Sequence, residues 1–218
     1  PGVYEARAVG RFGASNPRAF TVGVFDELVD QGGNNDRTKA IAVSPNTTVS
    51  GVVDNESRDY FKLSLKAGQR ILIDCAAQRI DSRLNGSLAM FNAQGREVAR
   101  NHDYRGADPF LDVTAPADGD YTLTLFDFPF RGGTDYFYRL TVHNSPHVDF
   151  VFPPSGTVGA TGRFTLYGRN LPGSHPAGCS IGGIELEKST IELPMPSAPT
   201  EFRQHSSHAM VLPAGSML

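Results

Sequence analysis

Apolar and polar residues alternate along short stretches of the central part of this chain. Between residues 121 and 125, for example, Tyr121, Leu123 and Leu125 alternate with two threonines. Alternation with a period of two places one set of side chains on each face of a β-strand. Pairs such as Asp118-Gly119 separate the stretches, because glycine permits the tight backbone conformations that turns need. The pattern predicts about eight short strands at regular spacing, which is typical of a β-sandwich or a jelly roll.

A helical pattern is missing from the sequence. No long segment carries apolar residues at positions i, i+3, i+4 and i+7, so we expect an all-β protein. The core of the central sandwich should be formed by the apolar members of the alternating strands. These predicted core residues are Phe61, Leu63, Leu65, Ile71, Ile73, Tyr121, Leu123, Leu125, Leu140 and Val142.

Composition narrows the class of protein further. The chain has 218 residues, of which 39% are hydrophobic, so it is long enough for two domains with packed cores. The net charge is −3 and there is no block of Lys and Arg, which argues against a nucleic-acid partner. No apolar run is long enough to span a membrane. Cys75 lies in an apolar strand pattern and is expected to be a small buried side chain rather than half of a disulfide with Cys179.

Three segments follow one another along the chain. Residues 1–23 alternate weakly and are predicted to be the tail of a preceding β-sandwich domain, so we expect the sequence to be a fragment of a longer chain. Residues 24–145 contain the regular strands of the predicted jelly roll. Residues 146–218 follow a proline-rich joint and are predicted to form a second, smaller sandwich, which this sequence need not contain in full.

Several short motifs carry a resemblance when they are taken in order and spacing over residues 26 to 144. They are Asn34-Asn35-Asp36, Asp59-Tyr60-Phe61, Asp81-Ser82-Arg83-Leu84, Gly119-Asp120-Tyr121 and Tyr138-Arg139-Leu140-Thr141-Val142. Together they resemble the bacterial pre-peptidase C-terminal domain, a jelly-roll module similar to the collagen-binding domains of clostridial collagenases. The resemblance implies a secreted, cell-surface or periplasmic bacterial protein in which this domain is a non-catalytic appendage, often of an exported peptidase.

The last segment carries a second resemblance. The run Pro153-Pro154-Ser155-Gly156 is followed by the stretch 164–171, which reads Phe-Thr-Leu-Tyr-Gly-Arg-Asn-Leu. These residues resemble the immunoglobulin-like domain shared by plexins and transcription factors, the TIG type. The resemblance implies an immunoglobulin-like sandwich over residues 146–218.

Two polar loops, 26–36 and 54–59, are rich in carboxylate and amide oxygens. Calcium takes six to eight oxygen ligands, which flexible loops can supply. The resemblance to the collagen-binding domains implies a calcium ion held by the N-terminal segment. The alternative is a solvated, turn-rich loop. The candidate metal ligands are Glu27, Asn34, Asn35, Asp36 and Asp59.

Two further motifs were weighed for chemistry. The run 101–103, Asn-His-Asp, forms a second oxygen cluster with Asp108, although Asp108 before a proline can equally cap a turn. Residues 178–182 match the G-x-S-x-G pattern around Ser180, with His205 or His208 as a base. A nucleophile elbow requires a strand, a turn and a helix, whereas a strand pattern follows here. We therefore expect no catalytic residue in this fragment.

Aromatic residues crowd around one pair of strands and their connecting loop. An exposed set of this kind docks an extended peptide or a glycan, because each ring brings a large apolar area. The alternative is core or interdomain packing. The residues are Tyr104, Phe110, Phe126, Phe128, Phe130, Tyr136 and Phe137.

These observations favour a non-catalytic accessory module of an exported bacterial protein, which binds an extracellular polymer or protein. A structural spacer in a multi-sandwich surface protein is the first alternative, since partial domains flank the jelly roll. The second is a segment removed when a parent protease matures. In each case the neighbouring domains of the same chain are expected partners.

Overall fold

The structure is a computed structural model that describes residues 2–197. Almost every element is a β-strand, which confirms the predicted all-β class. Two 3₁₀ helices of three residues, Arg37–Lys39 and Gln78–Ile80, are the helices of the described part. Residues 4–144 form one compact unit, and the described residues from 145 onward, with the first residues of the chain, belong to another.

Eighteen strands are numbered here in chain order. Those of the N-terminal segment and the first unit are β1 (Gly2–Ala6), β2 (Val9–Gly10), β3 (Gly13–Ala14), β4 (Arg18–Val22), β5 (Asp26–Val29), β6 (Ile41–Ala42), β7 (Thr47–Val52), β8 (Asp59–Leu65), β9 (Arg70–Ala76), β10 (Gly86–Phe91), β11 (Glu97–Asn101), β12 (Phe110–Thr114), β13 (Gly119–Asp127) and β14 (Phe137–His143). Those of the second unit are β15 (His147–Phe152), β16 (Thr161–Arg169), β17 (His175–Ile181) and β18 (Ile184–Pro194).

The first unit is a jelly roll. Its first sheet has the strand order β11-β10-β13-β8-β6, and its second sheet has the order β12-β9-β14-β7-β5. Strands β7 to β14 cross between the two sheets at every connection except the β10–β11 hairpin, which is the double Greek key of a jelly roll. Strands β5 and β6 extend the edges by pairing in parallel with β7 and β8.

The core lies between these two sheets, as the alternation predicted. Leu123 of β13 stands opposite Phe61 of β8 and Met90 of β10, and all three side chains are fully buried. Every residue that we predicted for the core is buried. Cys75 is buried among them, whereas Cys179 is exposed, and neither forms a disulfide.

Strands β15 to β18 form one antiparallel sheet in the second unit, in the order β15-β16-β18-β17. A small set of apolar side chains is buried there, namely Phe164, Leu166, Leu171 and Leu186. The assignment of this unit to a TIG-type sandwich stays a prediction, and its last 21 residues, 198–218, lie outside the described part.

The N-terminal segment pairs β1 with β4 and β2 with β3, in two small sheets. Many of its apolar side chains are exposed, with Val9 and Phe12 the most exposed. That this segment ends a preceding domain stays a prediction. In residues 2–197 no helix has the length and apolar character needed to cross a membrane.

Candidate functional site

One end of the jelly roll carries most of its polar side chains. Antiparallel pairing brings the last residues of β7, β9, β11 and β13 to the same end as the first residues of β8, β10, β12 and β14. Strand β5 also ends there, because it runs parallel to β7. We call this the loop end. The turns 66–69 and 115–118 lie at the opposite end.

Four side chains at the loop end form an aspartate–tyrosine cluster, which consists of Asp30, Asn34, Asp59 and Tyr138. The Tyr138 hydroxyl donates to Oδ2 of Asp30 at 2.8 Å, and Nδ2 of Asn34 donates to the same oxygen at 2.9 Å. The Tyr138 hydroxyl also interacts with the Asp59 carboxyl. The backbone N–H of Tyr60 donates to the Asn34 carbonyl at 2.9 Å, which joins the 30–34 loop to the start of β8.

Asp59 is the unusual member of this cluster. Its side chain is buried, and its Oδ2 atom has no hydrogen-bond partner among the described residues. Burial raises the pKa of Asp59 to about 7, the Tyr138 hydroxyl opposes this rise, and the charges of Asp30 and Asp54 add to it. A buried carboxylate without donors is unfavourable, so Asp59 either takes up a proton or needs a cation beside it.

The structure brings two of the five predicted metal ligands, Asn34 and Asp59, into this cluster. Glu27 instead forms a two-pronged ion pair with Arg139 across β5 and β14, with one contact of 2.9 Å. Asp36 caps the 3₁₀ helix 37–39 by accepting from the Thr38 N–H at 2.7 Å and from its hydroxyl at 2.6 Å. Asn35 is exposed.

The hydrogen bonds from Thr38 lower the pKa of Asp36. Asp36 is therefore explained as a capping residue by the local sequence. Within residues 2–197 no group of three or more His, Cys, Asp or Glu side chains is arranged to hold a metal ion.

The second predicted oxygen cluster has a structural role. Asp108 is buried and accepts from the backbone N–H groups of residues 77 and 78 at 3.0 and 2.6 Å. Asn101 accepts from the backbone N–H of Phe110 at 3.1 Å through its side-chain oxygen. His102 and Asp103 contact each other at 3.0 Å on the surface. These polar groups connect the loops and form no separate site.

The outer face of the first sheet contains a groove, which we call the outer groove. Its floor is formed by small side chains of β13, namely Thr122 and Thr124, and its walls by larger ones. Its volume is about 250 Å³. The wall residues are Arg37, Arg58, Tyr60 and Phe91.

Two arginines give the outer groove a positive charge. Arg37 donates through Nε to the Thr122 hydroxyl at 3.1 Å. The Arg58 guanidinium stacks over the rings of Phe126 at 4.4 Å and Phe130 at 5.1 Å. Neither arginine lies within 4.0 Å of a carboxylate in the described residues. Their charges remain available to an acidic ligand.

Most of the predicted aromatic set packs internally. Phe110 is buried and stacks on Tyr104 at 4.9 Å between ring centroids, and Phe126 is buried against Phe130. Only the loop residues Phe128, 54% exposed, and Phe130, 38% exposed, count as exposed large apolar side chains of this set. Our sequence analysis did not assign the two arginines that line the outer groove.

Ser180 lies in an antiparallel hairpin. It belongs to β17 and is paired with Glu185 of β18, so a strand follows it instead of a helix. A nucleophile elbow instead places its serine in a sharp turn between a strand and a helix. His205 and His208 lie outside the described residues.

Comparison with known proteins gives short or distant matches. No family model matches the chain. A stretch of 68 residues, 31% of the chain, is 35% identical to a probable subtilase-type serine protease of Deinococcus radiodurans, of which it spans only 9%.

Two solved structures are similar to part of the chain. The pre-peptidase C-terminal domain of a Bacillus anthracis collagenase has 17% identity and a TM-score of 0.39, covering 47% of this chain and 93% of that one. PliG of Aeromonas hydrophila, a periplasmic inhibitor of g-type lysozyme, has 16% identity and a TM-score of 0.38, covering 54% and 97%. The relation to the pre-peptidase C-terminal family thus stays a resemblance.

Proposed function

We propose that the chain is a non-catalytic accessory module of an exported bacterial peptidase and that its jelly roll docks an extended polypeptide in the outer groove. The match to a subtilase-type protease supports the association with a peptidase. The observation that carries the docking proposal is the outer groove itself, in which two arginines without carboxylate partners stand over a floor of threonines.

The shape and charge of the outer groove favour an acidic, extended peptide. A sheet face with a floor of small side chains leaves room for a strand-like chain between the walls. Arg58 and Arg37 complement carboxylates, and a guanidinium can bind a carboxylate through two parallel hydrogen bonds. Tyr60 and Phe91 supply flat apolar area beside them, as aromatic residues do at many interfaces.

Immobilised alkali-treated gelatin, an unfolded Gly- and Pro-rich polypeptide made net acidic by hydrolysis of its side-chain amides, is a direct probe of this proposal. The full chain should bind gelatin, and Arg58→Ala should weaken the affinity about tenfold, which corresponds to about 1.4 kcal/mol. Binding should also weaken as salt is raised, because exposed charge pairs are screened.

Arg163→Ala is the matched control, since Arg163 is an exposed arginine of β16, remote in sequence from the groove. It should leave binding unchanged. If the chain does not bind gelatin, or if both arginine variants bind as the wild type does, the docking proposal is wrong and the structural-spacer alternative becomes the better account.

We also propose that the aspartate–tyrosine cluster holds a calcium ion. The buried Oδ2 of Asp59, which has no hydrogen-bond partner among the described residues, is the observation that favours it, because a cation would compensate the charge on that oxygen. Asp30 and the more exposed Asp54 bring further carboxylate oxygens close to it. Hard oxygen donors of this kind are what calcium selects.

Asp59, Asp30 and Asp54 would therefore hold the ion, and Asn34 would contribute its amide oxygen. Glu27 and Asp36, predicted from the resemblance, would join only if Glu27 gave up its ion pair with Arg139 and Asp36 its hydrogen bonds with Thr38, while Asn35 would have to turn from its exposed position. The dependence of the unfolding free energy on calcium tests this proposal.

A further inference from the structure

A second cleft at the loop end lies between three loops of the jelly roll. It has a volume of about 450 Å³, within the range of small-molecule sites. Its polar and aromatic lining comes from Gln78, Ser82, Arg83, Asn85, Arg131 and Tyr136. We propose that this loop-end cleft binds a sugar ring. The site differs from the outer groove and from the aspartate–tyrosine cluster.

Two buried aspartates hold the walls of the loop-end cleft in place. Asp108 accepts from three consecutive backbone N–H groups, those of residues 77 to 79, and so fixes the 3₁₀ helix that carries Gln78. Asp127 accepts from the backbone N–H groups of Asn85 and Arg131, both at 2.9 Å. A site built on fixed loops loses little conformational entropy when a ligand binds.

The residues next to three lining residues of the cleft have positive φ angles. Phe130, next to Arg131, has a φ angle of 62°, and Asp81 has 71°, although neither residue is a glycine. Gly106 has a φ angle of 63°, and a Cβ atom there would lie 2.5 Å from Oε1 of Gln78. Residues held in such conformations concentrate at binding sites, because the surrounding structure must compensate their cost.

Two side chains of the lining have hydrogen-bond donors available to a ligand, and a third has a buried oxygen without a partner in residues 2–197. Gln78 uses its Oε1 to accept from the Ala107 N–H at 3.1 Å, which leaves its Nε2 donors free. Arg131 contacts Asp127 through Nε at 3.2 Å, and its terminal nitrogens make no hydrogen bond among the described residues. The buried Oδ1 of Asn85 has no partner in the described part of the chain.

The available donors are suited to the hydroxyl groups of a sugar. A hydroxyl accepts as well as donates, so neighbouring hydroxyls can accept from Gln78 and Arg131 at once. Tyr136 packs against the core, and the Arg131 guanidinium lies over its ring at 5.7 Å, so the two side chains form one wall of the cleft. The cleft also holds far more than the one water molecule that would satisfy Asn85, since a water fills about 30 Å³.

The charges of the cleft favour a neutral ligand. Arg131 is paired with Asp127, and Arg83 lies 3.8 Å from Asp135, so each guanidinium has a carboxylate beside it. An anion would have to compete with these carboxylates. A neutral sugar would use the remaining hydrogen-bonding groups without displacing them.

Saturation-transfer NMR on the full 218-residue chain tests the proposal, with the methyl glycosides of glucose, galactose, mannose and N-acetylglucosamine as probes. We expect at least one glycoside to receive saturation at millimolar concentration and to shift the side-chain amide resonance of Gln78. Gln78→Glu keeps the oxygen that accepts from Ala107 and removes the donors, so it should weaken binding about tenfold.

Gln69→Glu is the matched control, because Oε1 of Gln69 accepts from the Lys66 N–H at 3.0 Å in a turn at the opposite end of the sandwich. It should bind as the wild type does. The proposal is overturned if no glycoside receives saturation or if Gln78→Glu and Gln69→Glu bind equally well.

Discussion

Three buried aspartates stand at the loop end of the jelly roll, and they have opposite surroundings. Asp108 and Asp127 are 1% and 0% exposed, and Asp59 is 4% exposed. Asp108 accepts from three backbone N–H groups and lies 3.4 Å from Nε of Arg79, while Asp127 accepts from two backbone N–H groups and from Arg131. Asp59 keeps one oxygen without any partner in the described structure.

The comparison separates a structural carboxylate from a functional one. Hydrogen bonds to a buried carboxylate stabilise its charged form and connect the loops that supply the donors. A carboxylate that lacks them gains nothing from burial, and its pKa rises to about 7 in the case of Asp59. Asp108 and Asp127 therefore belong to the scaffold, whereas the surroundings of Asp59 favour the proposed cation site.

The largest expected effect is the loss of a scaffold carboxylate. Asp108→Ala leaves three backbone N–H groups without their acceptor and removes one of the two carboxylates beside Arg79, so it should lower the free energy of unfolding by about 3–5 kcal/mol. Denaturant unfolding measures this. Asp118→Ala is the control, because Asp118 accepts one backbone N–H on an exposed turn and should cost much less. Equal losses would remove the distinction between the two surroundings.

A smaller effect is expected from pH. Since the pKa of Asp59 is raised in the folded state from 3.8 to about 7, the folded protein binds the proton more tightly than the unfolded chain does. The resulting stability is fully present below about pH 4 and is lost as the pH rises through 7. With a chelator present, the free energy of unfolding should fall by about 2–3 kcal/mol between pH 5 and pH 8 because of this group.

Asp59→Asn isolates this contribution, since the other titrating groups are common to both proteins. Between pH 5 and pH 8, the unfolding free energy of Asp59→Asn should fall by about 2–3 kcal/mol less than that of the wild type. If the two proteins lose stability in parallel between pH 5 and pH 8, Asp59 does not titrate in this range.

How much of this could be predicted from sequence differs between the core and the sites. Period-two alternation is local, so it predicted the buried residues of β8, β9, β13 and β14. The capping role of Asp36 could also be predicted from local sequence, because an Asp two residues before a Thr is a common capping arrangement. The hydrogen bond between Asp30 and Tyr138 could not be predicted from local sequence, because it joins residues 108 positions apart and depends on β5 pairing in parallel with β7.

The groove arginines were missed for a related reason. Arg58 precedes β8 in a polar loop, and nothing local indicates that its guanidinium stacks on Phe126 of a neighbouring strand. The polar set of β13, which includes Thr122 and Thr124, did show which face of the first sheet is lined by small side chains. The position of the groove follows only when this face is known together with the order of the strands in the sheet. Alternation alone does not predict strand order.

The Tyr138 hydroxyl gives the smallest of the expected effects. Tyr138→Phe removes a hydrogen bond to Asp30 and should cost about 1–1.5 kcal/mol of unfolding free energy. It should also raise the pKa of Asp59 further, because this hydroxyl is the group that lowers it. The carboxyl carbon resonance of Asp59, followed by NMR over a pH titration, measures the pKa directly.

Tyr121→Phe is the matched control for this change. The Tyr121 hydroxyl donates to the Ala117 carbonyl at 2.8 Å, near the opposite end of the sandwich. Its loss should cost similar stability and leave the pKa of Asp59 unchanged. If both variants move that pKa equally, the Tyr138 hydroxyl has no specific effect on the cluster.

The most direct test of the central claim, that the unpartnered Asp59 marks a cation site, is the unfolding free energy near pH 8 in millimolar calcium and in a chelator. The account predicts that calcium stabilises the wild type, by about 2.7 kcal/mol at a hundredfold excess over its dissociation constant. Asp59→Asn should lose most of this gain. Identical unfolding free energies for the wild type in the two buffers would contradict the account and leave Asp59 as a buried carboxyl that simply binds a proton.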